Sequence, residues 1–535
     1  MTAFHQLLRT AASEHGARTA ILFEEHRLTY DALLAQVEAL ASGLAGRGIG
    51  PRDHVAIIMD NSVQCVLSWL ACSLIGCTEV PINPQYRGDL LHYLLEDSGT
   101  RVILCDARYR DQVLAVAARL PGLRQMFVNG GNDIALAGAV PIHDLDACAA
   151  FGGFAEVTDA PERIILYTSG TTGPSKGVVH TQASMLGLAR YNASVMGYGP
   201  DDRLLNFFPL FHQNARYTGV VPALCSGASI RIERKLSTST FWETCRRDRI
   251  TAFNYLGSVL RMVLNVTGPD MRAGDHSVTR AFGAGATPDI WQEFEDRLGI
   301  RLFETYGLSE APMATINVPG PDRCPPGSAG RASALFEVAV FDGDDRPLPP
   351  REVGEIVLRP RRADALMIGY HNKPDATVEA FRNLWFHSGD RGYLTETGDL
   401  YFEERAKDSI RRRGENISAW EVESILQQHP AVAEAAVYGL RCDDRDEEVA
   451  ASIVPAAGAD LAAIHAFAVE HLPSYAVPTL MRFASDLPRT PTAKVRKDDL
   501  RTISRGDHVD FSSPAAAGDG AERARAHHSS GQNRG

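Results

Sequence analysis

The densest group of potential hydrogen-bond donors in the chain is the run YTSGTTGPSKG, residues 167–177. It holds five serine or threonine hydroxyls, three glycines and one lysine. Because the apolar residues 164–166 precede it, the pattern predicts a strand that ends in a glycine-rich turn, with amide groups converging on one object. So many donors in one turn predict that this object is a polyphosphate.

Two well-known phosphate loops do not fit this run. A Walker-type loop requires G-x-x-x-x-G-K-[ST], whereas the residue five after Gly170 is Ser175. The dinucleotide fingerprint G-x-G-x-x-G requires a second glycine two residues on, where Thr172 stands. A flexible Ser/Gly linker is the plain alternative, but linkers seldom lie between a buried strand and an apolar continuation such as residues 177–179.

The composition limits the classes of protein that fit. A chain of 535 residues, 44% of them hydrophobic, exceeds what one core usually holds, so we expect two or more domains. A net charge of -12 and a pI near 5.8 argue against nucleic acid or an anionic membrane as partner, because such partners require basic patches. Nine cysteines without a C-x-x-C pair predict reduced thiols and no metal cluster.

No targeting or membrane segment is predicted. The N-terminus lacks the basic flank and apolar block of a signal peptide. The uncharged stretch 61–78 is nearly long enough to span a bilayer, but it contains Asn61, Gln64 and Ser68, so it predicts a buried helix. We therefore expect a cytoplasmic protein without a membrane span.

The elements that position the donor-rich run are predicted by alternating periodicities. Helical patterns at 30–44 and 66–74 alternate with strand patterns at 54–59 and 101–104. This alternation predicts βαβ units on a largely parallel sheet, and no repeat of a solenoid is visible. Around residues 327–359 the strand patterns become closely spaced, with strands predicted at 336–341 and 354–358, which predicts a small β subdomain.

A second domain is predicted from the charged run 403–408 onward. Within it, Ser418 to Glu421 has the pattern of a capping box that opens a helix. Residues 506–535 are poor in apolar groups and are predicted to be a disordered tail. The domains are therefore 1–402, 403–505 and the tail.

The run 167–177 resembles the phosphate-binding signature of the adenylate-forming superfamily, which contains acyl-CoA synthetases, peptide-synthetase adenylation domains and luciferases. The resemblance extends over nearly all of residues 1–505 and implies an α/β fold: a large N-terminal domain of βαβ-wound sheets plus a β subdomain, with a small mobile α+β C-terminal domain. It assigns the ATP phosphates to one group of residues, namely Thr168, Ser169, Gly170, Thr171, Thr172 and Lys176.

Further motifs of the superfamily follow in order. Thr305, Tyr306 and Gly307 open an aromatic-glycine-x-x-glutamate motif that ends at Glu310. The resemblance implies that Tyr306 stacks on adenine and that Glu310, with Thr172, helps to hold Mg²⁺; a π-face suits a purine and a hard carboxylate suits a hard cation. Earlier in the chain, the small residues Gly283, Ala284 and Gly285 resemble the turn that lines the adenine slot.

Residues that would bind the ribose come next. The motif H-T-G-D is matched at 387–390, with Ser388 in place of threonine, and Asp390 would accept both ribose hydroxyls. Arg405 resembles the arginine that reaches the ribose and phosphate, although Glu404 precedes it where Asp or Gly is usual. Lys407 then occupies the position of the interdomain hinge. A solvated charge run is the plain alternative for this stretch.

The C-terminal motifs would serve two half-reactions. Residues 488–494 resemble the segment that carries the catalytic lysine, Lys494, although Ala493 replaces the usual glycine. Arg496 and Lys497 follow closely, so the choice among these basic residues stays open. In the superfamily the small domain swings, withdraws the lysine and presents the segment around Gly414, which borders the pantetheine tunnel.

The function that this set implies is carboxylate activation. A carboxylate is a poor electrophile, so it first attacks ATP to form acyl-AMP and pyrophosphate, and charge on the phosphorus oxygens is met by preorganised donors and a metal. CoA then takes the acyl group. The implied cofactors are ATP, Mg²⁺ and CoA, and the substrate is a small-molecule carboxylic acid. The run RRRGENISAWEVE, residues 411–423, is most similar to free-standing acyl-CoA ligases, including the crotonobetaine/carnitine-CoA ligase branch.

The acyl pocket is predicted from residues 211–216, which resemble the aromatic or histidine gate and the start of a pocket helix. The gate residue is His212. If the helix begins there, Arg216 shares its face. Arg216 would then either meet a polar or second anionic group of a short substrate or face solvent.

Three other functions stay open. A kinase or hydrolase would release ADP, but the failed Walker spacing opposes it. A non-catalytic nucleotide-binding regulator would not need Lys494. Within the superfamily, an enzyme that uses an amine in place of CoA, or another oxyanion such as nitrite, would show the same ATP motifs. The sequence does not determine which acid is used or whether the protein forms a homodimer.

Overall fold

The computed structural model describes residues 3–130, 140–148, 163–168, 174–405, 409–412, 415–441, 447–456, 458–489 and 495–512. The chain divides into two compact units. The first comprises Met1–Pro84, Leu91–Thr168 and Lys176–Ala406. The second comprises Gln85–Leu90, Ser169–Ser175 and Lys407–Gly535.

The first 405 residues alternate helices with short strands. The α-helices are α1 (Ala3–His15), α2 (Tyr30–Gly46), α3 (Val63–Leu74), α4 (Gly88–Asp97), α5 (Arg110–Ala117), α6 (Gln182–Met196), α7 (Gln213–Ala215), α8 (Val221–Ser226), α9 (Phe241–Arg247), α10 (Gly257–Asn265), α11 (Pro288–Gln292) and α12 (Pro374–Ala380). Short 3₁₀ turns lie at Ala107–Tyr109 and Ala273–Asp275, and π-helical turns at Arg216–Val220 and Glu293–Arg297.

The strands of this part are short and mostly buried. They are β1 (Thr19–Phe23), β2 (His26–Thr29), β3 (His54–Ile58), β4 (Thr78–Pro81), β5 (Val102–Asp106), β6 (Gln125–Asn129), β7 (Ile142–Asp144), β8 (Arg163–Thr168), β9 (Lys176–Thr181), β10 (Arg203–Asn206), β11 (Ser229–Ile232), β12 (Ala252–Leu256), β13 (Arg280–Ala284), β14 (Arg301–Tyr306), β15 (Thr315–Asn317), β16 (Arg331–Ala332), β17 (Phe336–Phe341), β18 (Gly354–Pro360), β19 (Gly369–Tyr370), β20 (Phe381–Arg382), β21 (Trp385–Leu394) and β22 (Leu400–Arg405).

Two large sheets form the first unit. One has nine strands in the order β16-β15-β14-β13-β12-β10-β11-β1-β2, and the other has eight in the order β19-β9-β8-β4-β3-β5-β6-β7. Their central strands pair in parallel, and antiparallel pairs lie toward the edges. One hydrophobic core contains residues of both sheets and of α1, α2, α3, α6 and α8. The predicted α/β fold class of βαβ-wound sheets is confirmed.

A third, antiparallel sheet has the order β17-β18-β21-β20, with β22 paired to β21. The predicted strand at 336–341 has the same bounds as β17, and that at 354–358 lies within β18. The register of β21 and β22 sets Asp390 opposite Arg405. This sheet is the predicted β subdomain, and its strand β21 carries Gly389 and Asp390 toward the candidate site.

The apolar stretch at 61–78 forms helix α3, as predicted. Ser62 begins the helix, because its Oγ accepts a hydrogen bond from Cys65 N at 3.1 Å. Residues 65–74 are all buried, Ser68 and Ser73 included, and Ser73 Oγ donates to Trp69 O at 3.1 Å. Among the described residues no helix combines the length and the apolarity that a membrane crossing needs.

The described elements of the second unit's C-terminal part are six strands and three α-helices. They are β23 (Ser409–Arg412), β24 (Glu415–Ser418), α13 (Ala419–Leu426), β25 (Val432–Arg441), β26 (Glu447–Pro455), α14 (Leu461–His471), β27 (Leu480–Phe483), α15 (Lys497–Arg501), a 3₁₀ turn (Arg505–Asp507) and β28 (Val509–Asp510). Strands β25-β26-β27-β28 form one sheet, and β23 and β24 form a hairpin.

Helix α13 begins where the sequence predicted. Ser418 Oγ accepts a hydrogen bond from Glu421 N at 3.3 Å, which is the N-cap half of a capping box. The Glu421 carboxylate accepts a hydrogen bond from Ser175 Oγ, a residue of the same unit. Burial raises the pKa of Glu421, against the lowering effect of this hydrogen bond.

The predicted start of the tail at residue 506 is wrong. Val509–Asp510 pairs with β27, with Met481 opposite Val509. Val509 and Phe511 pack against the core of the second unit. The error arose because composition averages over a segment, whereas two apolar residues at alternate positions suffice to add an edge strand. Residues 513–535 lie outside the described residues.

Candidate active site

The small-residue turn at 283–285 depends on close backbone packing. Gly283 in β13 pairs with Tyr255 in β12, and a Cβ at Gly283 would lie 2.1 Å from Tyr255 O. A Cβ at Gly257 would lie 1.9 Å from Gly285 O, and Gly285 has a φ of +84°. Larger residues would separate these strands, so the turn needs glycine for steric reasons. Gly283 and Gly285 thus leave no side chain at these two positions, as the close approach of a flat base to the backbone would require.

A buried glutamate that the sequence analysis missed fixes this turn. The Glu304 carboxylate accepts hydrogen bonds from Gly285 N, from Ala286 N at 3.2 Å and from Tyr255 Oη at 2.5 Å. Glu304 lies in β14, directly before Thr305 and Tyr306. Its only sequence signal is a charged residue inside an otherwise buried strand, which must find partners.

Tyr306 and Asp390 lie together although 84 positions separate them. Tyr306 Oη donates a hydrogen bond to Asp390 Oδ2 at 2.9 Å, and both residues are buried. The Phe402 ring stacks near Tyr306, with 6.2 Å between centroids. The structure thus brings the predicted adenine-stacking residue to the predicted ribose acceptor.

Backbone and side-chain hydrogen bonds fix the irregular part of β21 that carries Asp390. Gly389 has a φ of +72°, and its N–H donates to Glu355 Oε1 at 3.0 Å. Ser388 Oγ donates to Ile356 O at 2.6 Å and accepts from Asp390 N at 3.1 Å. The hydroxyl kept by the Ser-for-Thr replacement therefore has a structural use. Glu355 is a second residue that the sequence analysis missed.

Lys176, Tyr370 and Glu310 form a second cluster in the same unit. Tyr370 Oη donates to Glu310 Oε1 at 2.8 Å, and Lys176 Nζ lies 4.9 Å from the centroid of the Tyr370 ring. Burial, together with the neighbouring Glu310 charge, raises the pKa of Tyr370, so its hydroxyl stays protonated and donates. The sequence analysis missed Tyr370, because only the pairing of β19 with β9 brings it to Lys176.

The remaining predicted residues of the first unit have mainly structural contacts. Thr305 Oγ1 donates to Thr315 O at 2.7 Å. A Cβ at Gly307 would lie 2.6 Å from Met313 N, so this position also needs glycine. Thr168 ends β8, and its Oγ1 donates to Lys176 O at 3.5 Å. These contacts shape the ends of the strands that lead to the site.

Several predicted residues lie outside the described residues: Ser169, Gly170, Thr171, Thr172, Lys407, Gly414 and Lys494. The two described rivals of Lys494 have local partners. Lys497 Nζ lies 2.8 Å from Glu423 Oε1, and Arg496 Nη2 lies 3.1 Å from Asp499 Oδ1. Lys494 therefore remains the predicted catalytic lysine.

The gate segment begins a helix as predicted. The exposed His212 directly precedes α7, and its ring centroid lies 4.4 Å from that of Phe211. Its role as gate stays a prediction.

The expectation for Arg216 is corrected by the structure. Arg216 is fully buried, and its guanidinium donates to Glu79 and to Leu210 O and lies 4.4 Å from the Trp69 ring centroid. It therefore does not face solvent, and a carboxylate of the protein, not a second anionic group of the substrate, balances its charge. Helical spacing alone could not reveal that carboxylate, because Glu79 lies in β4 of the eight-stranded sheet, far from Arg216 along the chain.

Comparison with known proteins gives the family. The family described as AMP-binding enzyme matches residues 8–371, and its C-terminal domain matches residues 421–494. A crotonobetaine/carnitine–CoA ligase of Salmonella heidelberg is 28% identical over 517 residues, which cover 93% of this chain and 98% of the relative.

Solved structures agree with this assignment. An o-succinylbenzoate CoA synthetase of Bacillus subtilis superposes with a TM-score of 0.80 at 26% identity, covering 93% of this chain and 98% of that one. An amide bond synthetase of Marinactinospora thermotolerans gives 0.81 at 25% identity, covering 94% and 99%. The resemblance stated from the motifs is thereby confirmed, and the chain belongs to the AMP-binding enzyme family of adenylate-forming proteins.

Proposed function

We propose that this protein is an ATP-dependent ligase that activates a carboxylic acid as acyl-AMP and transfers the acyl group to CoA, releasing AMP and pyrophosphate. One observation carries the proposal. The segment 305–310 reaches two clusters at once, because Tyr306 binds Asp390 and Glu310 binds Tyr370 beside Lys176. A hydroxyl-accepting carboxylate and a cation beside a second carboxylate are what a nucleoside polyphosphate requires.

The residues present fit Mg²⁺ and ATP. Mg²⁺ is usually held by one or two carboxylates together with substrate phosphates, and Glu310, with Thr172 as a predicted partner, would hold it. Bound there, it would neutralise charge on the phosphates. Lys176 adds a positive charge in the same cluster. The slot at Gly283 and Gly285 admits a flat base, and Asp390 accepts ribose hydroxyls.

The roles of the domains follow the family pattern. Residues 1–402 bind ATP and the acid, and residues 403–505 act as a mobile lid that delivers Lys494 for adenylation and Gly414 for thioester formation. CoA is the acceptor, as in the relatives named CoA ligases. The eight described cysteines are free thiols, which fits a cytoplasmic enzyme.

A panel of carboxylic acids tests the proposal. Purified protein with ATP and Mg²⁺ is expected to release pyrophosphate with some acids, and mass spectrometry is expected to find acyl-AMP without CoA and acyl-CoA with it. An amide formed from an added amine, with no thioester, would instead favour the activity named for the amide bond synthetase. Release of ADP, or no pyrophosphate from any acid, would contradict the proposal.

A further inference from the structure

The ends of two parallel strands carry adjacent asparagines. Strands β10 and β12 pair with Leu204 beside Ala252 and Leu205 beside Phe253. The next step of this register sets Asn206, the last residue of β10, beside Asn254. Both side chains are buried at the carboxyl end of parallel strands, where open α/β sheets bind ligands.

The helical turn after His212 packs against these asparagines. Asn254 Nδ2 donates to Asn214 Oδ1 at 3.0 Å and to Thr218 Oγ1 at 2.9 Å. A Cβ built at Gly219 would lie 3.7 Å from Asn254 Nδ2 and 3.8 Å from Asn206 Oδ1. The segment predicted to line the acyl pocket is therefore polar where it meets the sheet.

Two amide oxygens of this region accept no hydrogen bond from the described residues. Asn206 Nδ2 donates to Phe208 O at 3.0 Å, and Gln213 Nε2 donates to Leu308 O at 3.2 Å. Carbonyl oxygens can only accept, so these two bonds fix the orientation of both amides. Asn206 Oδ1 and Gln213 Oε1 are then buried acceptors without a donor in the described part of the chain.

These acceptors select against a plain hydrocarbon. A buried acceptor that faces an alkyl chain loses water without gaining a partner, which is unfavourable. A second carboxylate would be repelled by the two oxygens, and the nearby Arg216 charge is already paired with Glu79. A hydroxyl, amide N–H or ammonium group would complete the bonding.

We infer that the acid used by this enzyme carries a hydrogen-bond donor in its acyl part, which binds Asn206 Oδ1 or Gln213 Oε1. The inference rests on the proposed acid-activating function and narrows its substrate class from carboxylic acids in general to acids whose acyl part carries a hydrogen-bond donor. Gln213 lies next to the candidate adenylate site, because its Nε2 donates a hydrogen bond to the carbonyl of Leu308, which stands between Tyr306 and Glu310 in the chain.

The test compares isosteric acids. Pyrophosphate release is measured with pairs in which a hydroxyl replaces a methyl group at carbon 2, 3 or 4 of a short acid, such as 3-hydroxybutyrate against 3-methylbutyrate. An unpaired acceptor corresponds to about a 5- to 150-fold loss, so kcat/KM is expected to favour the hydroxy acid at least fivefold in one pair. A smaller ratio in every pair would overturn the inference, because water would then satisfy the acceptors equally well.

Variants assign the preference to these residues. Gln213→Met and Asn206→Leu are expected to reduce the ratio of kcat/KM for the hydroxy acid to kcat/KM for the methyl acid, and this ratio is read within each variant because both substitutions also remove a hydrogen bond to a backbone carbonyl. The matched control is Gln125→Met, which removes a comparable amide bond to a carbonyl, Arg47 O at 3.0 Å, and should leave the ratio unchanged. If Asn206→Leu does not fold, Gln213→Met and the isosteric pairs still decide the inference.

The outcomes separate the two proposals. An unchanged ratio in both variants would overturn the inference and leave acid activation intact. No pyrophosphate from any acid would contradict the proposed function and this inference with it.

Discussion

A buried histidine supports the segment that carries Glu310. His180 Nε2 lies 2.7 Å from Ser309 O, and because a carbonyl only accepts, Nε2 carries the proton and donates. Burial lowers the pKa of His180 to about 4, from an ordinary 6.5, so the ring is neutral near pH 7. Glu310, the candidate Mg²⁺ ligand, directly follows Ser309, and the neutral His180 ring holds the Ser309 carbonyl without adding a positive charge.

This histidine makes folding stability depend on pH. The unfolded chain takes up the proton near pH 6.5 and the folded chain only near pH 4, so the stabilisation present above pH 6.5 is lost as pH falls. Between pH 7.5 and pH 5 this one group should cost about 2 kcal/mol. Urea unfolding at both pH values measures this cost. From pH 7.5 to pH 5, the free energy of unfolding of His180→Gln should fall by about 2 kcal/mol less than that of the wild type. An equal loss in variant and wild type would contradict this assignment.

The Tyr370 hydroxyl should affect metal binding. Tyr370→Phe removes the hydrogen bond to Glu310 and leaves the ring beside Lys176. Losing one such bond to a charged group corresponds to about 1.5–3 kcal/mol, so we expect a Mg²⁺ concentration for half-maximal pyrophosphate release that is about 10- to 150-fold higher. The control is Tyr401→Phe, whose ring stacks on Tyr393 in the β subdomain. An unchanged Mg²⁺ titration for Tyr370→Phe would show that the bond does not position the carboxylate.

At the scale of elements, one buried ion pair joins a strand of the eight-stranded sheet to the helical segment that follows α7. Glu79 lies in β4, and Arg216 begins the π-helical turn after α7. Burial raises the pKa of Glu79, although Arg216 opposes this effect. Breaking a buried pair by removing one partner leaves an uncompensated charge, which costs far more than the pair itself contributes.

A double-mutant cycle tests this pair. Glu79→Gln and Arg216→Met should each lower the free energy of unfolding by about 3–5 kcal/mol, and the double variant should lose much less than their sum. Urea unfolding at pH 7 measures all three. The exposed pair Arg351–Glu396, substituted in the same way, should show no coupling. Additive losses at Glu79 and Arg216 would mean that the two charges do not compensate each other.

Local patterns predicted several helices and strands of the βαβ units and of the β subdomain. Strand β17 has the predicted bounds, and α2 and α3 extend the predicted helices by a few residues at their ends. Hydrophobic periodicity and helix caps depend on residues that are close together in the chain, so a sequence alone can reveal them. The strand at Val509–Asp510 was missed because a two-residue edge strand has almost no periodicity.

The site was predicted only where a motif marks it. Tyr306 and Asp390 were named, and the structure brings them together. The sequence analysis did not name Glu304, Tyr370 or Glu355. Their hydrogen-bond partners lie elsewhere in the chain, and no spacing along the sequence indicates such pairing. Arg216 was misassigned for the same reason, since its partner Glu79 lies 137 positions away.

At the scale of the whole molecule, the predicted adenine and ribose residues fall in one compact unit and the predicted catalytic lysine in the other. The described nucleotide-site candidates, from Thr168 to Arg405, belong to the first unit, whereas the second contains Lys494, Gly414 and also the segment Ser169–Ser175 of the predicted phosphate-binding run. The second unit has its own core, with residues of α13, α14 and β25.

This separation predicts that the two half-reactions respond to different substitutions. Lys494→Ala should slow pyrophosphate release about 10²- to 10³-fold, since one preorganised donor is lost, and should spare acyl-CoA formation from synthetic acyl-AMP. Gly414→Leu should do the reverse, because a side chain there would obstruct the acceptor thiol. Lys497→Ala, which removes only the ion pair with Glu423, serves as the control. Single-turnover assays of each step measure the split, and equal loss of both steps in Lys494→Ala or Gly414→Leu would show that one fixed arrangement serves both reactions.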